Sequence, residues 1–413
     1  MSETRNIVFL GASYAGISAT HYFLKHAYPH LPSSPTVNYK VILINASPKF
    51  YQRHASPRAI ASASLLAHDR LFVDIEPGFA QYGDKVQFLV AKATSWDPEK
   101  RILHLSNAEG KDIAISYHAL VLATGSKTAS LTQSSFGNSH AEIEAALTAI
   151  NEQVASAKSI VIAGGGPAGV ETAGEIAEHL NGSPGWFQSR PSNRTAKITL
   201  LTSAPRLLPA LRPSLAAQAA RDLERLGVEV QYNTKVTSAA PSGSRQTTLT
   251  LSDDQTLTAD LYLPATGTTP LTSYAPPALL SASGHLLTNP HTLRLSEGKL
   301  VYALGDVTSF SRGSIPEINA QVPVLASNLQ RDLLAAHGDL GAEPEGEDRR
   351  YEAETRELQL VPVGRRRGVG ALWGWWVPSW FVWLVKGRDF MVGAGREKVF
   401  GKAEEREVKW TGS

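Results

Sequence analysis

One local pattern occurs twice in this chain, and it constrains the fold more than any other feature. Ile7, Val8, Phe9 and Leu10 form a short apolar run that breaks at Gly11-Ala12-Ser13-Tyr14-Ala15-Gly16 and passes into a helical pattern to about Lys25. Residues 40–45 are a second continuous apolar run, ending at Asn45. Unbroken apolar runs of this length suit strands buried on both faces of a parallel sheet, so 7–45 reads as one βαβ unit. About 150 residues later the pattern returns. Residues 159–163 run into Gly164-Gly165-Gly166-Pro167-Ala168-Gly169, a helix follows from about Pro167 to Leu180, and residues 197–203 close the unit as a strand. Two such units predict an α/β protein with two Rossmann-like nucleotide-binding domains.

At a strand–glycine turn–helix junction the backbone N–H groups of the first helical turn face an anion, and glycine lets a pyrophosphate approach closely. Gly164, Gly166 and Gly169 complete the glycine fingerprint between a strand and a helix, which points to a dinucleotide site; the alternative is a bare βα turn. The first copy keeps Gly11 and Gly16 but carries Ser13 at the central position, a side chain small enough to permit a similar approach. Neither unit ends its second strand on the acid that would bond the adenosine ribose. The first has Asn45, which can bond a ribose hydroxyl as a neutral group, and the second has Ser203. Ser203, with Arg206 three residues on, sets no negative charge against a 2′-phosphate, so NADH and NADPH both stay open. Arg206 can equally be a solvated loop cation.

Three further apolar runs end on small residues: Leu120 to Ala123-Thr124-Gly125, Leu261 to Ala265-Thr266-Gly267, and Leu300 to Leu304-Gly305-Asp306. A helical pattern follows the last of them at about 317–336. Residues 181–196, rich in helix breakers, read as a surface insertion, and the polar stretch 338–350 reads as a linker.

In this order these motifs resemble the two-domain FAD/NAD(P)H oxidoreductases. The resemblance implies a nucleotide domain for NADH or NADPH (131–267) inserted into a discontinuous FAD domain (1–130 and 268–337), with 338–413 as a C-terminal section. It implies that Gly11, Ala12, Ser13, Ala15, Gly16, Asn45, Ala93, Thr124, Gly125, Gly305 and Asp306 serve the FAD, Asp306 holding its ribityl chain. Gly164, Gly166, Gly169, Ser203, Arg206 and Gly267 would serve the nicotinamide nucleotide. Within the superfamily, Ala55-Ser56-Pro57-Arg58, Gly169-Val170-Glu171 and the run 362–370 are similar to the apoptosis-inducing-factor homologues, the branch of the ferroptosis suppressor protein and its fungal relatives, close to type II NADH dehydrogenases. That likeness implies Arg58 beside the FAD and a catalytic Glu171 at the nicotinamide–flavin contact. The plainer readings are a surface arginine and a solvated helix acid sharing a face with Glu175 and Glu178. Glu317 stands where that branch carries a lysine, which would reverse the charge near the flavin edge. His54, close to Arg53 and Arg58 in sequence, reads as a packing or surface residue.

Composition narrows the chemistry. None of the 413 residues is cysteine. Reduced flavin therefore has no protein disulfide to pass electrons to, and must deliver them directly to a quinone-like or other apolar acceptor, or to oxygen. No histidine cluster has metal-ligand spacing, so no metal is expected. Lys+Arg 40 against Asp+Glu 38 gives a net charge of +2, which offers no footprint for nucleic acid and speaks against a signalling or DNA-binding flavoprotein. No signal-peptide core follows the N-terminal MSETR, so the expected location is intracellular. Five of the eight tryptophans fall at 373, 375, 376, 380 and 383, in an uncharged run flanked by Arg365, Arg366, Arg367, Lys386 and Arg388. With Gly374 and Pro378 inside it, 368–388 is no membrane span. It reads as a peripheral membrane contact or substrate mouth, or else as a strand–turn–helix packed on the FAD domain or in a homodimer interface. The expected function is an FAD-dependent NAD(P)H oxidoreductase of quinone-reductase type, with a flavoenzyme of specialised metabolism as the alternative.

Overall fold

The computed structural model describes residues 3–32, 37–128, 139–184, 189–192, 194–243, 246–340 and 342–410. The apolar run at the start becomes the strand Glu3–Leu10, central in a five-stranded parallel sheet of order Val301–Ala303, Ala119–Leu122, Glu3–Leu10, Val37–Asn45, Val86–Val90. Both faces of this sheet are covered, which is why its strands are continuously apolar. Ile7, Phe9, Val41 and Leu43 turn to one face, against the helices Tyr14–Tyr22 and Ile315–Ala335. Val8, Leu10, Ile42 and Ile44 turn to the other, against Trp96, Leu103 and Leu105 of an antiparallel three-stranded sheet.

The second unit repeats the plan. Its parallel sheet runs Val228–Gln231, Lys197–Leu201, Ser159–Ala163, Leu261–Pro264. Ile160, Ile162, Ile198 and Leu200 face the helices Pro167–Asn181 and Pro213–Arg225, while Val161 and Leu201 face a second antiparallel sheet through Leu249, Leu251 and Ala259. The chain passes between the two sheets as a short antiparallel ribbon, Ser126–Thr128 paired with Thr268–Pro270. The boundary expected at 130/131 lies outside the described residues, as does part of the 181–196 insertion.

The C-terminal section is built into both units. Gln359–Val363, Arg367–Leu372 and Trp375–Trp376 form an antiparallel meander. Val361, Val363, Val369 and Ala371 join the core built on the second unit's helices Pro167–Asn181 and Pro213–Arg225, a core that also takes in Tyr51, Ala59 and Ile60 of the first unit. After the turn Ser379–Val382 and its continuation Trp383–Gly387, the helix Val392–Val399 returns to the first unit, where Val399 is buried. The polar stretch read as a linker is docked too: Asp348 pairs with Arg294 at 2.8 Å, and Arg349 N–H donates to Asn328 Oδ1 at 2.9 Å.

Candidate active site between the two nucleotide folds

The two glycine turns have the same geometry. A Cβ on Gly11 would lie 2.3 Å from the Ala123 carbonyl oxygen, and one on Gly164 would lie 2.2 Å from that of Ala265. A Cβ on Gly16 would meet Gly11 O at 1.7 Å, and one on Gly169 would meet Gly164 O at 1.9 Å. The first contacts press each turn against the end of a neighbouring strand and the second press each helix onto its own turn, so only glycine fits. The central position differs. A Cβ on Gly166 would meet nothing within 4 Å, because that side faces open space, and this explains why the first copy tolerates Ser13. Neither Ser13 nor Gly166 caps its helix with a side chain, so the first-turn N–H groups of Tyr14–Tyr22 and Pro167–Asn181 are left for an outside anion. Both turns fit a dinucleotide diphosphate.

Strand register corrects one assignment. Leu10 pairs with Ile44, and its counterpart Ala163 pairs with Leu201. The residue matching Asn45 is therefore Thr202, not Ser203. Ser203 is exposed one residue further along, and Arg206 donates through Nη2 to Pro209 O at 3.0 Å. Asn45 braces the first turn: its Oδ1 accepts from Ala12 N–H at 2.9 Å and its Nδ2 donates to Ser47 O at 2.8 Å. Ala93 lies on the strand Lys92–Asp97, opposite Leu105 and outside the cleft described next.

Residues from both units line one cleft of about 500 Å³. Ser13, Ala15, Gly125 and Asp306 come from the first, and Pro167, Ala168, Glu171 and Gly267 from the second. Thr124 sits beside it, its Oγ1 donating to Leu271 O at 2.7 Å. On the first side, Ser126 Oγ donates to Asp306 Oδ2 at 2.7 Å, and Arg53 lies 4.0 Å from the same carboxylate. Gly305 N–H, at the turn before Asp306, donates to the buried Gln321 Oε1 at 3.0 Å. On the second side, Glu171 is buried and Lys386 Nζ donates to its Oε1 at 2.5 Å. Burial raises the Glu171 pKa, and Lys386 opposes that rise.

Three expectations about charge are overturned. Glu171, Glu175 and Glu178 do share one helix face, but that face is buried and each acid has its own donors. Glu178 is held by Arg365 N–H at 2.5 Å and Ser183 Oγ at 2.7 Å. Arg58 spends its guanidinium on Glu175, at 2.9 and 2.8 Å, and on the carbonyls of Gly387 and Arg388, both at 2.8 Å, over the ring of Phe390. It ties three segments together and does not line the cleft; Arg53 does. Glu317 turns inward, accepting from the Arg312 backbone N–H at 2.7 Å and Ser311 Oγ at 3.2 Å at the start of its own helix, and does not line the cleft. His54 lines the cleft and is hydrogen-bonded to Tyr14; burial, then Lys386, lowers its pKa to about 4, which keeps it neutral.

Sequence reasoning missed Arg53, Ser126, Gln321 and Lys386 as members of this site. Gln321 could have been found, one helical turn after Glu317 behind the Gly305-Asp306 turn. In the sequence Lys386 is only a basic flank of the tryptophan run. In that run Trp375 is 80% exposed, Trp373, Trp376 and Leu384 are exposed, and the exposed Trp380 and Trp383 lie beside Arg365 and Arg366. Among the described residues no helix is long and apolar enough to cross a membrane.

The family described as pyridine nucleotide-disulphide oxidoreductase matches residues 5–329. The oxidoreductase phnG of Penicillium herquei is 44% identical over 404 residues, 94% of each chain. Ferroptosis suppressor protein 1 of Xenopus laevis is 23% identical over 413 residues, 95% of each chain. Among solved structures, NDH2 from Plasmodium falciparum in complex with NADH superposes with a TM-score of 0.65 at 12% identity, covering 98% of this chain and 100% of that one, a likeness of fold.

Proposed function

The chain belongs to the pyridine nucleotide-disulphide oxidoreductase family, and from that premise we propose that it is an FAD-dependent NAD(P)H oxidoreductase that hands electrons to a quinone-like or other apolar acceptor. A bound flavin supplies a centre that takes hydride from a nicotinamide and releases electrons onward. The disulfide chemistry in the family's description is closed to a chain without cysteine. Asp306, oriented by Ser126 and facing Arg53, would hold the FAD chain, with the Gly11–Gly16 turn on its diphosphate. The Gly164–Gly169 turn would hold the nicotinamide nucleotide. Glu171, with one oxygen on Lys386, orients the ligand from the second side. The residues arranged this way position reactants and shape the field, the largest share of what a hydride-transfer site needs from protein.

The single observation that carries this reading is the shared cleft, lined by both glycine turns. The apolar acceptor rests on the segment 379–387, which shows Trp380, Trp383 and Leu384 to the outside and brings Lys386 to Glu171. The exposed Trp380 and Trp383 beside Arg365 and Arg366 suit peripheral contact with an anionic lipid surface from which such an acceptor would come. Steady-state turnover with a panel of short-chain quinones, and pelleting with anionic vesicles for the native protein and a Trp375→Ser, Trp380→Ser double variant, test these two parts. Deleting the section would strip the buried Val369, Ala371, Phe390 and Val399, so substitutions are the cleaner probe. Flavin that no quinone reoxidises would transfer the reading to a flavoenzyme with a dedicated metabolite as acceptor.

A further inference from the structure

Tyr14 opens the helix Tyr14–Tyr22 at the Gly11–Gly16 turn, and His54 lies just after the strand Lys49–Tyr51. They are 40 positions apart, yet both line the shared cleft, and the Tyr14 hydroxyl is hydrogen-bonded to His54 Nδ1. The Tyr14 ring stands edge-on to the buried Phe50, with centroids 4.9 Å apart, which fixes where the hydroxyl sits. Phenylalanine would serve that packing equally well. A phenol held by an imidazole on the wall of a ligand cleft can also move a proton.

The surrounding charges suit such a step. Arg53 acts on Tyr14, and Lys386, bonded to Glu171, acts on His54, with Asp389 the acid that opposes it there. Burial keeps the Tyr14 hydroxyl protonated, against the pull of Arg53, while burial and Lys386 keep His54 neutral. A neutral imidazole carries a single N–H. His54 Nε2 makes no hydrogen bond, although the carbonyls of Phe390 and Met391 lie near the ring. With its proton on Nδ1, the ring donates to the Tyr14 oxygen and leaves the phenol proton to the cleft.

A hydride brings two electrons and one proton, whereas a quinone-type acceptor takes two electrons and two protons. We propose that Tyr14 supplies the second proton to the acceptor, and that His54 is the positioning residue that holds its hydroxyl for the transfer. This rests on the reading of the acceptor as quinone-like. The Tyr14 O–H bond breaks as an O–H bond forms on the acceptor's carbonyl oxygen. His54 Nδ1–H and the charge of Arg53 hold the resulting phenolate, and water returns the proton once the product leaves. The nicotinamide is oxidised, the acceptor is reduced, and no group of the chain changes its redox state. Glu171, on the second side of the cleft, stays with the nicotinamide.

Anaerobic stopped flow on the FAD-loaded protein, reduced and then mixed with a short-chain quinone or with ferricyanide, tests the transfer. Ferricyanide takes an electron without a proton. In Tyr14→Phe the ratio of the quinone rate to the ferricyanide rate should fall by at least about 100-fold, the usual yield of a positioned acid, and His54→Asn should lower the same ratio. An undiminished ratio in Tyr14→Phe, or equal slowing with both oxidants, would overturn the role. Ring-nitrogen NMR of isotopically labelled histidine needs no turnover. The His54 signals, identified by their absence from His54→Asn, should show a neutral ring protonated at Nδ1; a proton on Nε2 would also overturn it. Native flavin that ferricyanide reoxidises and no quinone does would instead sink the acceptor reading on which the proposal rests.

Discussion

Lys386 Nζ donates to Glu171 Oε1 at 2.5 Å, joining the C-terminal section to the helix that opens the second nucleotide fold. The two residues are 215 positions apart, and both are largely removed from solvent. Burial raises the Glu171 pKa and Lys386 opposes it, so removing the lysine should drive that pKa further up. In Lys386→Met the pH profile for flavin reduction by the nicotinamide should move to higher pH, and Glu171→Gln should slow reduction while FAD stays bound. Unchanged profiles and rates in both would remove Glu171 from the chemistry.

The glycine contacts separate the two ligands. Gly16→Ala would drive a Cβ into Gly11 O and should give protein that folds poorly or purifies without FAD. Gly169→Ala makes the equivalent clash in the second unit and should retain FAD while losing nicotinamide binding by about tenfold or more. Ser13→Gly should leave FAD retention unchanged. Flavin absorbance of the purified variants reads FAD retention in all three, and titration of Gly169→Ala with the nicotinamide nucleotide reads the loss of binding.

Arg58 is a structural tie. Arg58→Leu leaves the buried Glu175 without its cation and should cost about 3–5 kcal/mol of stability. The double variant Arg58→Leu, Glu175→Leu should recover much of that loss. A denaturant series checks this; loss of FAD at undiminished stability would instead restore the role beside the flavin.

Acid should destabilise the fold through its buried histidines. Burial lowers His21 and His54 from 6.5 to about 4. Between those values the unfolded chain binds the extra protons, so their contribution is full above about pH 6.5 and is lost as pH falls toward 4, each on the order of 3 kcal/mol. Glu171 and Glu175, raised by burial, act with the opposite sign, favouring the fold below their raised values. Tm against pH should fall from 6.5 to 4.5, and His21→Gln should flatten the slope.

What was legible in the sequence was what local pattern encodes. The two apolar strands with their glycine turns announced both folds, because the turn residues are dictated within a few positions of one another. The strand-end residue of the second unit was misplaced by one, since Thr202 and Ser203 are distinguishable only once Leu201 is paired with Ala163. Arg58 and Glu317 were singled out, yet their partners are set by tertiary packing: Glu175 lies 117 residues from Arg58, and the turn holding Glu317 closes only in the folded helix start. Lys386 was hidden for the same reason, a basic flank in sequence that reaches the cleft through the meander's course.

The central claim is direct transfer from nicotinamide through flavin to an apolar acceptor. Anaerobic double-mixing stopped flow tests it most directly, following the oxidised-flavin absorbance after mixing with NADPH or NADH and then with a short-chain quinone. The account predicts rapid bleaching followed by full recovery on adding the quinone. Flavin that stays oxidised in the presence of both nucleotides would contradict it.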